Sequence, residues 1–353
     1  MPISNDILSS TLRVLAKEAV DQLFIQTPLL NEIKNKGGVE TIDGGQKIQR
    51  PLILAEHSSI TQLSSGYEPI NLAVSDVLRT AEFHWCDFIA PVVITKKEEL
   101  SNRGPRAVLS IAEARLKSVM GMLKREWERQ AIANRSTVLS EMLTLNGASN
   151  AGATGTPGSS TGFLEPVAVG AQVNTVGGLS RATFRDLENQ YQDCNGAFST
   201  GAAPTGIADL TELYINCQIN SPSGVPNLIL ASANSYKGYK KLLFNNERFV
   251  NESTLDGGKL ALAFHSAMMH VDPNLPVGKT DGGPPPVYNN FTISMYALNT
   301  EHIKVVFDSD ANFTMGDFET VSGYASRSAN IMVRTQLLFD HLKSQGVLAD
   351  AEA

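Results

Sequence analysis

The alternation of apolar and polar positions is clearest in residues 105–133, PRAVLSIAEARLKSVMGMLKREWERQAIA. Charged residues occupy the sides of this segment that its apolar residues leave free, and Pro105 suits a first helical turn. The apolar residues recur every three or four positions, at Leu109, Ala112, Leu116, Val119, Leu123 and Trp127. The pattern therefore predicts one amphipathic helix over 105–133, roughly 40 Å long at about 1.5 Å per residue.

Residues 46–95 show a strand pattern instead. Ala81, Phe83 and Trp85 alternate with polar residues, Pro51 fits an edge strand, and residues 58–76 are rich in turn formers. This pattern predicts a long two-stranded hairpin with a wide tip. Two strands cannot bury both of their faces, so the apolar residues of the hairpin need a partner within the chain or outside it.

The first part of the chain is amphipathic. Residues 5–33 predict one or two helices, with Leu8, Leu12 and Leu15 on one side. Asp6 and Arg13 interrupt the apolar residues, which argues against a signal peptide or a membrane span and favours the cytoplasm.

Strand and helix patterns are both present in the rest of the chain, and we expect an α+β fold. Residues 146–162 have the composition of a flexible loop, and helices are predicted from Ser180 onward and over 206–219. A buried strand at 226–232 is followed by a helix capped by Ser232 or Asn234. Further strands are predicted in 259–273, in 290–313 with a break at Asn299 and Thr300, and in 328–339 as the last element.

Composition narrows the function. The net charge of -7 argues against a protein whose main task is gripping nucleic acid, because phosphate binding depends on clustered Lys and Arg. Charged residues make up 18% of the chain, below the usual share of about a quarter, which suggests that some surface is covered by another molecule. Cys86, Cys194 and Cys217 are far apart and predict neither a disulfide framework nor a zinc site.

Candidate chemistry is sparse. Gly278-Lys279-Thr280 resembles the end of a phosphate-binding loop, but Pro273 stands where its first glycine belongs and no helix pattern follows. His265 and His270 would point to opposite faces of a strand, and no G-x-S-x-G pentapeptide occurs. We therefore predict no catalytic, cofactor-binding or metal-binding residues, no cofactor and no enzyme; an enzyme with a dispersed site is the rival hypothesis.

Several stretches resemble the major capsid proteins of tailed double-stranded DNA phages, which have the Hong Kong 97-type fold. The order and spacing of these stretches carry the resemblance, and it covers nearly the whole chain. They are ILSSTLRVLAKEAVDQLF (7–24), GGQKIQRPLILAEHSSI (44–60), TVGGLSRATFR (175–185), PNLILASANSYKGYKKLL (226–243), VDPNLP (271–276), MYALNTEHIKV (295–305) and QGVL (345–348).

The resemblance implies a domain plan. It has an N-terminal arm (1–45), an extended loop (46–95), a peripheral domain (96–221) with the spine helix 105–133, an axial domain (222–300) and a return to the peripheral domain (301–353). Apolar residues of the arm and loop would then contact neighbouring subunits: Leu8, Leu12, Leu15, Leu52, Leu54, Tyr67, Phe83 and Trp85.

The resemblance also implies a function and partners. The chain would assemble in the host cytoplasm as hexamers and pentamers, and its final location would be the virion capsid, an icosahedral head. Its partners would be other copies of itself, a portal protein and packaged double-stranded DNA bound without sequence specificity, with no membrane. The start of the chain lacks a charged helical scaffolding segment, so we expect a separate scaffolding protein or none; decoration proteins stay open.

Two further expectations for this chain come from other proteins that share this fold. A shell protein of a bacterial encapsulin-type cargo compartment shares the fold and is the alternative function. Some members join a lysine of the extended loop to an asparagine of the next subunit. No lysine lies between Lys47 and Lys96 here, so we predict no such cross-link at the loop tip.

Overall fold

The periodic segment 105–133 forms the longest helix described in the computed structural model, where it runs Ile111–Ala133. Leu123, Trp127 and Ala131 are spaced four apart on it and are all buried. This confirms the helix and its apolar face; the predicted start at Pro105 lies outside the described residues. Twenty-three residues correspond to about 34 Å of helix.

The described residues are 27–56, 59–60, 62, 64, 66–67, 76–101, 111–133, 139, 141–146, 162–194, 198–199, 204–244, 252–254, 260–275, 293–320 and 323–349. The α-helices among them are α1 (Pro28–Asn35), α2 (Lys96–Ser101), α3 (Ile111–Ala133), α4 (Gly206–Ile219) and α5 (Ala233–Phe244). Two 3-10 turns run Arg185–Leu187 and Thr300–His302. Most of the predicted arm, and almost all of the predicted loop 146–162, lie outside these ranges.

The strands follow the chain in this order: β1 (Val39–Ile42), β2 (Lys47–Ile53), β3 (Leu78–His84), β4 (Cys86–Thr95), β5 (Thr144–Asn146), β6 (Gly162–Leu164), β7 (Thr175–Val176), β8 (Leu179–Ser180), β9 (Gln190–Asp193), β10 (Leu228–Ala231), β11 (Glu252–Thr254), β12 (Leu260–Phe264), β13 (Ala267–Val271), β14 (Ile293–Leu298), β15 (Ile303–Asp308), β16 (Thr314–Met315), β17 (Glu319–Thr320), β18 (Ser326–Phe339) and β19 (Gly346–Ala349).

The first large sheet is organised around the fourteen-residue strand β18. The order β1-β15-β18-β16 forms its main path, and β4 and β17 also pair with β18. The C-terminal half of β18 pairs antiparallel with β15, and its N-terminal part pairs with β4. One apolar core joins this sheet to α3 and to the base of the β2–β3 hairpin.

The predicted hairpin is too long, because strand β4 belongs to the large sheet and not to the hairpin. The second arm of the hairpin ends at His84, and β4 joins the large sheet, in register from Cys86↔Thr335 to Thr95↔Ser326. The physical reason is visible at the junction, where Trp85 and Cys86 are both buried. Two successive buried residues shift the alternation by one position and carry the chain from one sheet into another.

The second large sheet has the order β11-β12-β13-β10-β14-β19-β9. Helices α4 and α5 cover one of its faces and form a second apolar core. The predicted helices at 206–219 and after Ser232 are confirmed, and the Ser232 hydroxyl caps α5 by accepting the backbone N–H of Ser235 at 3.1 Å. The strands predicted in 259–273 form a hairpin whose turn contains His265 at φ 51°.

Two predictions in this part of the chain are wrong. The segment after Ser180 forms the 3-10 turn Arg185–Leu187 and then β9, where we predicted a helix. The last element is β19, which pairs parallel with β9 from Gly346↔Gln190 to Ala349↔Asp193. Strands β9 and β19 lie more than 150 residues apart in the chain, and their pairing determines that both segments form strands.

The chain crosses between the two sheets at a buried polar junction. Asn299 donates its backbone N–H to the Gln345 side-chain oxygen at 2.9 Å, and the Gln345 amide donates to the Asn299 carbonyl at 3.1 Å. Thr300 is held by Asn227 at 2.9 Å. These bonds fix the break predicted at Asn299 and Thr300, with β14 before it and β15 after it.

The domain boundaries stay predictions. The predicted axial segment 222–300 contains β10 to β14, and the same sheet also takes β9 and β19 from outside that segment. The sheet is therefore wider than the segment proposed for it.

Candidate interaction surface

The β2–β3 hairpin is the element from which an interaction surface can be built. Its strands pair antiparallel from Lys47↔His84 at the base to Ile53↔Leu78 at the outer end. The Leu54 N–H continues the ladder to the Val77 carbonyl at 3.1 Å.

The base of the hairpin is fixed to the body of the chain. Ile48 and Phe83 face each other in register and are 2% and 1% exposed. Gly177, in the β7–β8 turn, accepts the Glu82 N–H at 3.0 Å, and a Cβ at Gly177 would lie 2.5 Å from the Ala81 Cβ. Only a residue without a side chain permits this contact, so the hairpin is anchored at one end.

Two of the predicted interface residues therefore need correction. Phe83 lies 6.0 Å from the Phe163 ring, between centroids, and Trp85 is 6% exposed with the Arg334 guanidinium 5.0 Å from its ring centroid. Both side chains are covered by their own chain, because the strand directs them into its core. They leave no surface for a neighbouring subunit.

The outer end of the hairpin is different. Tyr67 is 97% exposed and Ile60 is 93% exposed, and the terminal pair Ile53 and Leu78 is 75% and 56% exposed. Leu52 and Leu54 are half-buried against the main core. Apolar side chains therefore occupy both faces at this end, because successive residues of a strand point to opposite sides.

Sequence reasoning missed Ile53, Ile60 and Leu78 as candidates. The signal was present in the run Leu52-Ile53-Leu54, where the alternation of apolar and polar residues fails. Leu8, Leu12 and Leu15 lie outside the described residues.

A cleft of about 640 Å³ lies beside the hairpin. Leu52 and Ile53 line one side, and Ile219, the last residue of α4, is 75% exposed and lines another. Asp186 and Lys343 form an ion pair at its edge. The cleft adds apolar surface next to that of the hairpin.

A second uncovered apolar face lies on the first large sheet. Ile89 and Met332 are neighbours in register on β4 and β18 and are 59% and 44% exposed, and Val93, further along β4, is 41% exposed. Buried and exposed residues alternate along β4 from Cys86 to Val93, and the outward positions Ile89, Pro91 and Val93 are apolar, which produces this face.

Reactive chemistry is not apparent in the described parts of the chain. Burial raises the pKa of the Cys86 thiol to about 12, with smaller contributions from Glu141 and Asp87, and burial raises the pKa of Cys217 to about 12. Such thiols stay protonated and are poor nucleophiles. His265 stacks on Tyr214, with 5.0 Å between ring centroids, and burial lowers the pKa of His270.

Within the described ranges no three His, Cys, Asp or Glu side chains are grouped as metal ligands. Among the helices in those ranges, none has the length and apolarity needed to cross a bilayer.

Solved structures of other proteins resemble this architecture, although sequence comparisons find no match. No family model matches the sequence, and none of the curated proteins matches it. A subunit of the cyanophage A-1(L) capsid is similar in structure, with a TM-score of 0.62 and 17% identity over 95% of each chain. The capsid structure of cyanophage P-SCSP1u gives a TM-score of 0.51 and 13% identity over 94% of this chain and 90% of that one.

A chain of the holo-SrpI encapsulin complex from Synechococcus elongatus has a TM-score of 0.49 and 11% identity, covering 99% of this chain and 96% of that one. That similarity is too low to support an argument. The phage capsid similarities establish the fold, which is the α+β Hong Kong 97-type fold predicted from the sequence.

Proposed function

We propose that this chain is the major capsid protein of a tailed phage, which assembles as hexamers and pentamers into an icosahedral head around double-stranded DNA. The observation that carries the proposal is the capsid-subunit fold over 95% of the chain. The proposed role is structural, without catalysis.

The hairpin supports self-assembly on physical grounds. Its base is anchored by Phe83 and Ala81, whereas its outer end exposes Ile53, Ile60 and Tyr67. Exposed apolar surface on a protruding element is stabilised when another molecule covers it. If each copy covers the hairpin of the next one, the repeated contact closes a ring, and many modest contacts make a stable shell.

The proposed contact residues follow from exposure. Leu52, Leu54 and Tyr67 stay in the set, and the newly recognised Ile53, Ile60 and Leu78 join it. Leu8, Leu12 and Leu15 stay proposals from the sequence alone.

The negative net charge of the chain supports a role as a shell that encloses DNA. The net charge is -7, and a strongly basic lining would bind the polyanion tightly and hinder its packaging and release. The further partners in this proposal are a portal protein and, where the phage encodes them, scaffolding and decoration proteins. Assembly takes place in the host cytoplasm and the final location is the virion.

Electron microscopy of the overexpressed protein tests the assembly. We expect uniform hollow shells from the unaltered chain, and Tyr67→Ser to reduce the yield of shells at least several-fold because it removes apolar contact area from the loop. Tyr324→Ser is the matched control, since Tyr324 is also a well-exposed tyrosine, at 72%, but belongs to the connection between β17 and β18 and not to the hairpin. A monomer that never assembles at high concentration would contradict the proposal.

The contents of particles from infected or producing cells test the second half of the proposal. Packaged double-stranded DNA and an attached tail support a phage head. Particles filled with an enzyme cargo would instead identify an encapsulin-type compartment.

A further inference from the structure

Glu128 occupies an unusual position on the long helix. Its side chain is 1% exposed, and its two carboxylate oxygens accept the backbone N–H groups of Leu29 at 2.9 Å and Leu30 at 3.2 Å. These donors belong to the first turn of α1, whose unsatisfied N–H groups favour a carboxylate. One side chain of α3 therefore holds the beginning of α1.

A second carboxyl group is buried near Glu128. Asp272 directly follows β13 and is 1% exposed. Its Oδ1 accepts the Asn274 N–H at 2.8 Å, but its buried Oδ2 has no hydrogen-bond partner among the described residues. A buried carboxylate oxygen without a partner is costly unless the group carries a proton.

Among the described residues, no cationic side chain forms an ion pair with Glu128 or Asp272. Next to Glu128 is a cavity of about 260 Å³, whose lining includes the charged residues Arg125, Glu126 and Arg129. Arg129 pairs with Glu126 at 2.8 Å, and Arg125 donates from Nε to the Gly121 carbonyl at 3.3 Å. The remaining cavity lining, apart from Glu128 itself, is uncharged: Thr27, Met122, Pro273 and Asn274. The charged residues of α1 itself are Glu32 and Lys34, beyond its first turn.

The electrostatics of the pair follow from burial. Burial, and then the nearby charge of Asp272, raise the pKa of Glu128 from 4.5 to about 8, although the N–H groups of Leu29 and Leu30 oppose the shift. Burial also raises the pKa of Asp272, although hydrogen bonds from the backbone and the side chain of Asn274 oppose the shift. Two carboxyl groups that repel each other in a buried site titrate as a pair and retain a proton at neutral pH.

We propose that Glu128 and Asp272 form a proton-dependent clasp, which holds α1 on the long helix while the pair carries a proton and weakens when both groups ionise. The clasp sets how firmly α1 is attached to α3. The proposal does not depend on the capsid function.

The direction of the pH effect follows from linkage. The closed form binds the proton more tightly than an open form in which Glu128 is solvated and has its ordinary pKa of 4.5. The stabilisation is therefore complete below about pH 4.5 and is lost as the pH rises to about 8. Within this window, opening increases by up to about tenfold per pH unit, and above it the effect levels off.

Hydrogen exchange measured by mass spectrometry tests the clasp on the full-length protein. The peptide covering residues 27–36 is followed from pH 5 to pH 9, and its rates are divided by the intrinsic exchange rate at each pH. We expect its protection to fall by at least about tenfold between pH 6 and pH 8 and then to level off. Protection that does not change with pH contradicts the proposal.

Two substitutions test whether Glu128 and Asp272 are the titrating groups. Glu128→Gln removes one of the two ionisable groups, so the pH dependence of its protection should be much smaller than in the unaltered chain, with only Asp272 left to titrate. Asp272→Asn keeps both N–H bonds to Glu128 and removes the repelling charge, so its protection should equal that of the unaltered chain at pH 5 and exceed it at pH 8.

Asp186→Asn is the control, because it alters an exposed carboxyl group that does not line the cavity beside Glu128, and it should behave like the unaltered chain. Equal pH dependence in the Glu128→Gln variant and the unaltered chain would overturn the assignment. Because the exchange of this peptide is read out directly, a chain that never forms shells would refute the capsid function and leave this test intact.

Discussion

Arg181 is the largest fully buried side chain among the described residues. Its guanidinium donates to Gln172 at 2.8 Å and to Asn189 at 3.2 Å, donates to the Phe163 carbonyl, and pairs with Glu165 at 3.2 Å. Burial lowers the pKa of Arg181 to about 10, although Glu165 opposes the shift. A charge this deep is tolerated because both terminal nitrogens have partners, although the buried Nε has no hydrogen-bond partner among the described residues.

The partner carboxylate extends the network. Glu165 also accepts the N–H groups of Val173 at 3.3 Å and Asn174 at 2.9 Å, next to the β7–β8 turn that anchors the hairpin. Arg181 thus supports the hairpin base indirectly.

We expect Arg181→Met to lower the free energy of unfolding by about 3 to 5 kcal/mol, because Glu165 would be left buried without its ion-pair partner. Urea denaturation of dissociated subunits measures this. The control is Arg79→Met, whose partner Asp76 is well exposed, so that the loss should stay below about 1 kcal/mol. Equal small losses in both variants would show that the Arg181 network does not stabilise the fold.

For single residues, the sequence predicted little about which side chains are buried. Arg181 lies in a stretch rich in Thr, Gly and Ser, where an arginine is usually solvated. Its hydrogen-bond partners lie 8 to 18 residues away with no regular spacing, so neither spacing nor composition indicates its burial. Phe83 and Trp85 illustrate the converse, since a strand pattern shows that they share a face but not whether their own chain covers it.

Among the elements, the hairpin anchor permits a matched pair of substitutions. Gly177 and Gly178 both have positive φ, at 55° and 83°, but only a Cβ at Gly177 would collide with Ala81. We expect both alanine variants to be destabilised by about 1 kcal/mol or more by the left-handed backbone. Gly177→Ala should lose about 1 to 3 kcal/mol in addition, because it pushes β3 away from the turn.

Thermal unfolding of the two glycine variants, with hydrogen exchange of the peptide covering β3, separates the two contributions. Greater loss of β3 protection in Gly177→Ala than in Gly178→Ala supports the close contact. Identical behaviour of the two variants would mean that the turn does not anchor the hairpin.

Elements with a long local pattern were predictable. Helix α3, the helix α4, the strand before Ser232 and the break at Asn299 follow from periodicity, caps and polar interruptions. Strands whose pairing partners lie far away in the chain were not predictable from the sequence. Strand β9 was predicted as helix because its partner β19 lies at the other end of the chain, and β4 was assigned to the hairpin because register with β18 cannot be inferred locally.

For the whole molecule, the order of elements carried the prediction. The arm, hairpin, long helix and mixed sheets resemble a phage capsid subunit, and the similarity to the cyanophage A-1(L) capsid confirms the fold. The sequence could not show which apolar residues stay uncovered, because that depends on how the whole chain packs. The exposed set Ile53, Ile60 and Leu78 became visible only in the structure.

The distribution of lysine over the whole subunit leads to a prediction about assembled shells. Lys47 lies at the base of the hairpin, 2.8 Å from Glu82, and Lys96 begins α2. The intervening 48 residues contain no lysine, so the outer end of the hairpin has no amine that could attack a side-chain amide of a neighbour.

Shells boiled in detergent should therefore run as a single band near 38.0 kDa on a denaturing gel, without covalent oligomers. Shells treated with an amine-reactive cross-linker serve as the control, because they should show the ladder that the gel is able to resolve. A ladder from untreated shells would mean that a lysine outside the hairpin, or another nucleophile, joins the subunits. In its absence, shell stability has to come from the non-covalent contacts of the hairpin and its neighbours, so detergent at room temperature should dissociate Tyr67→Ser particles before unaltered ones.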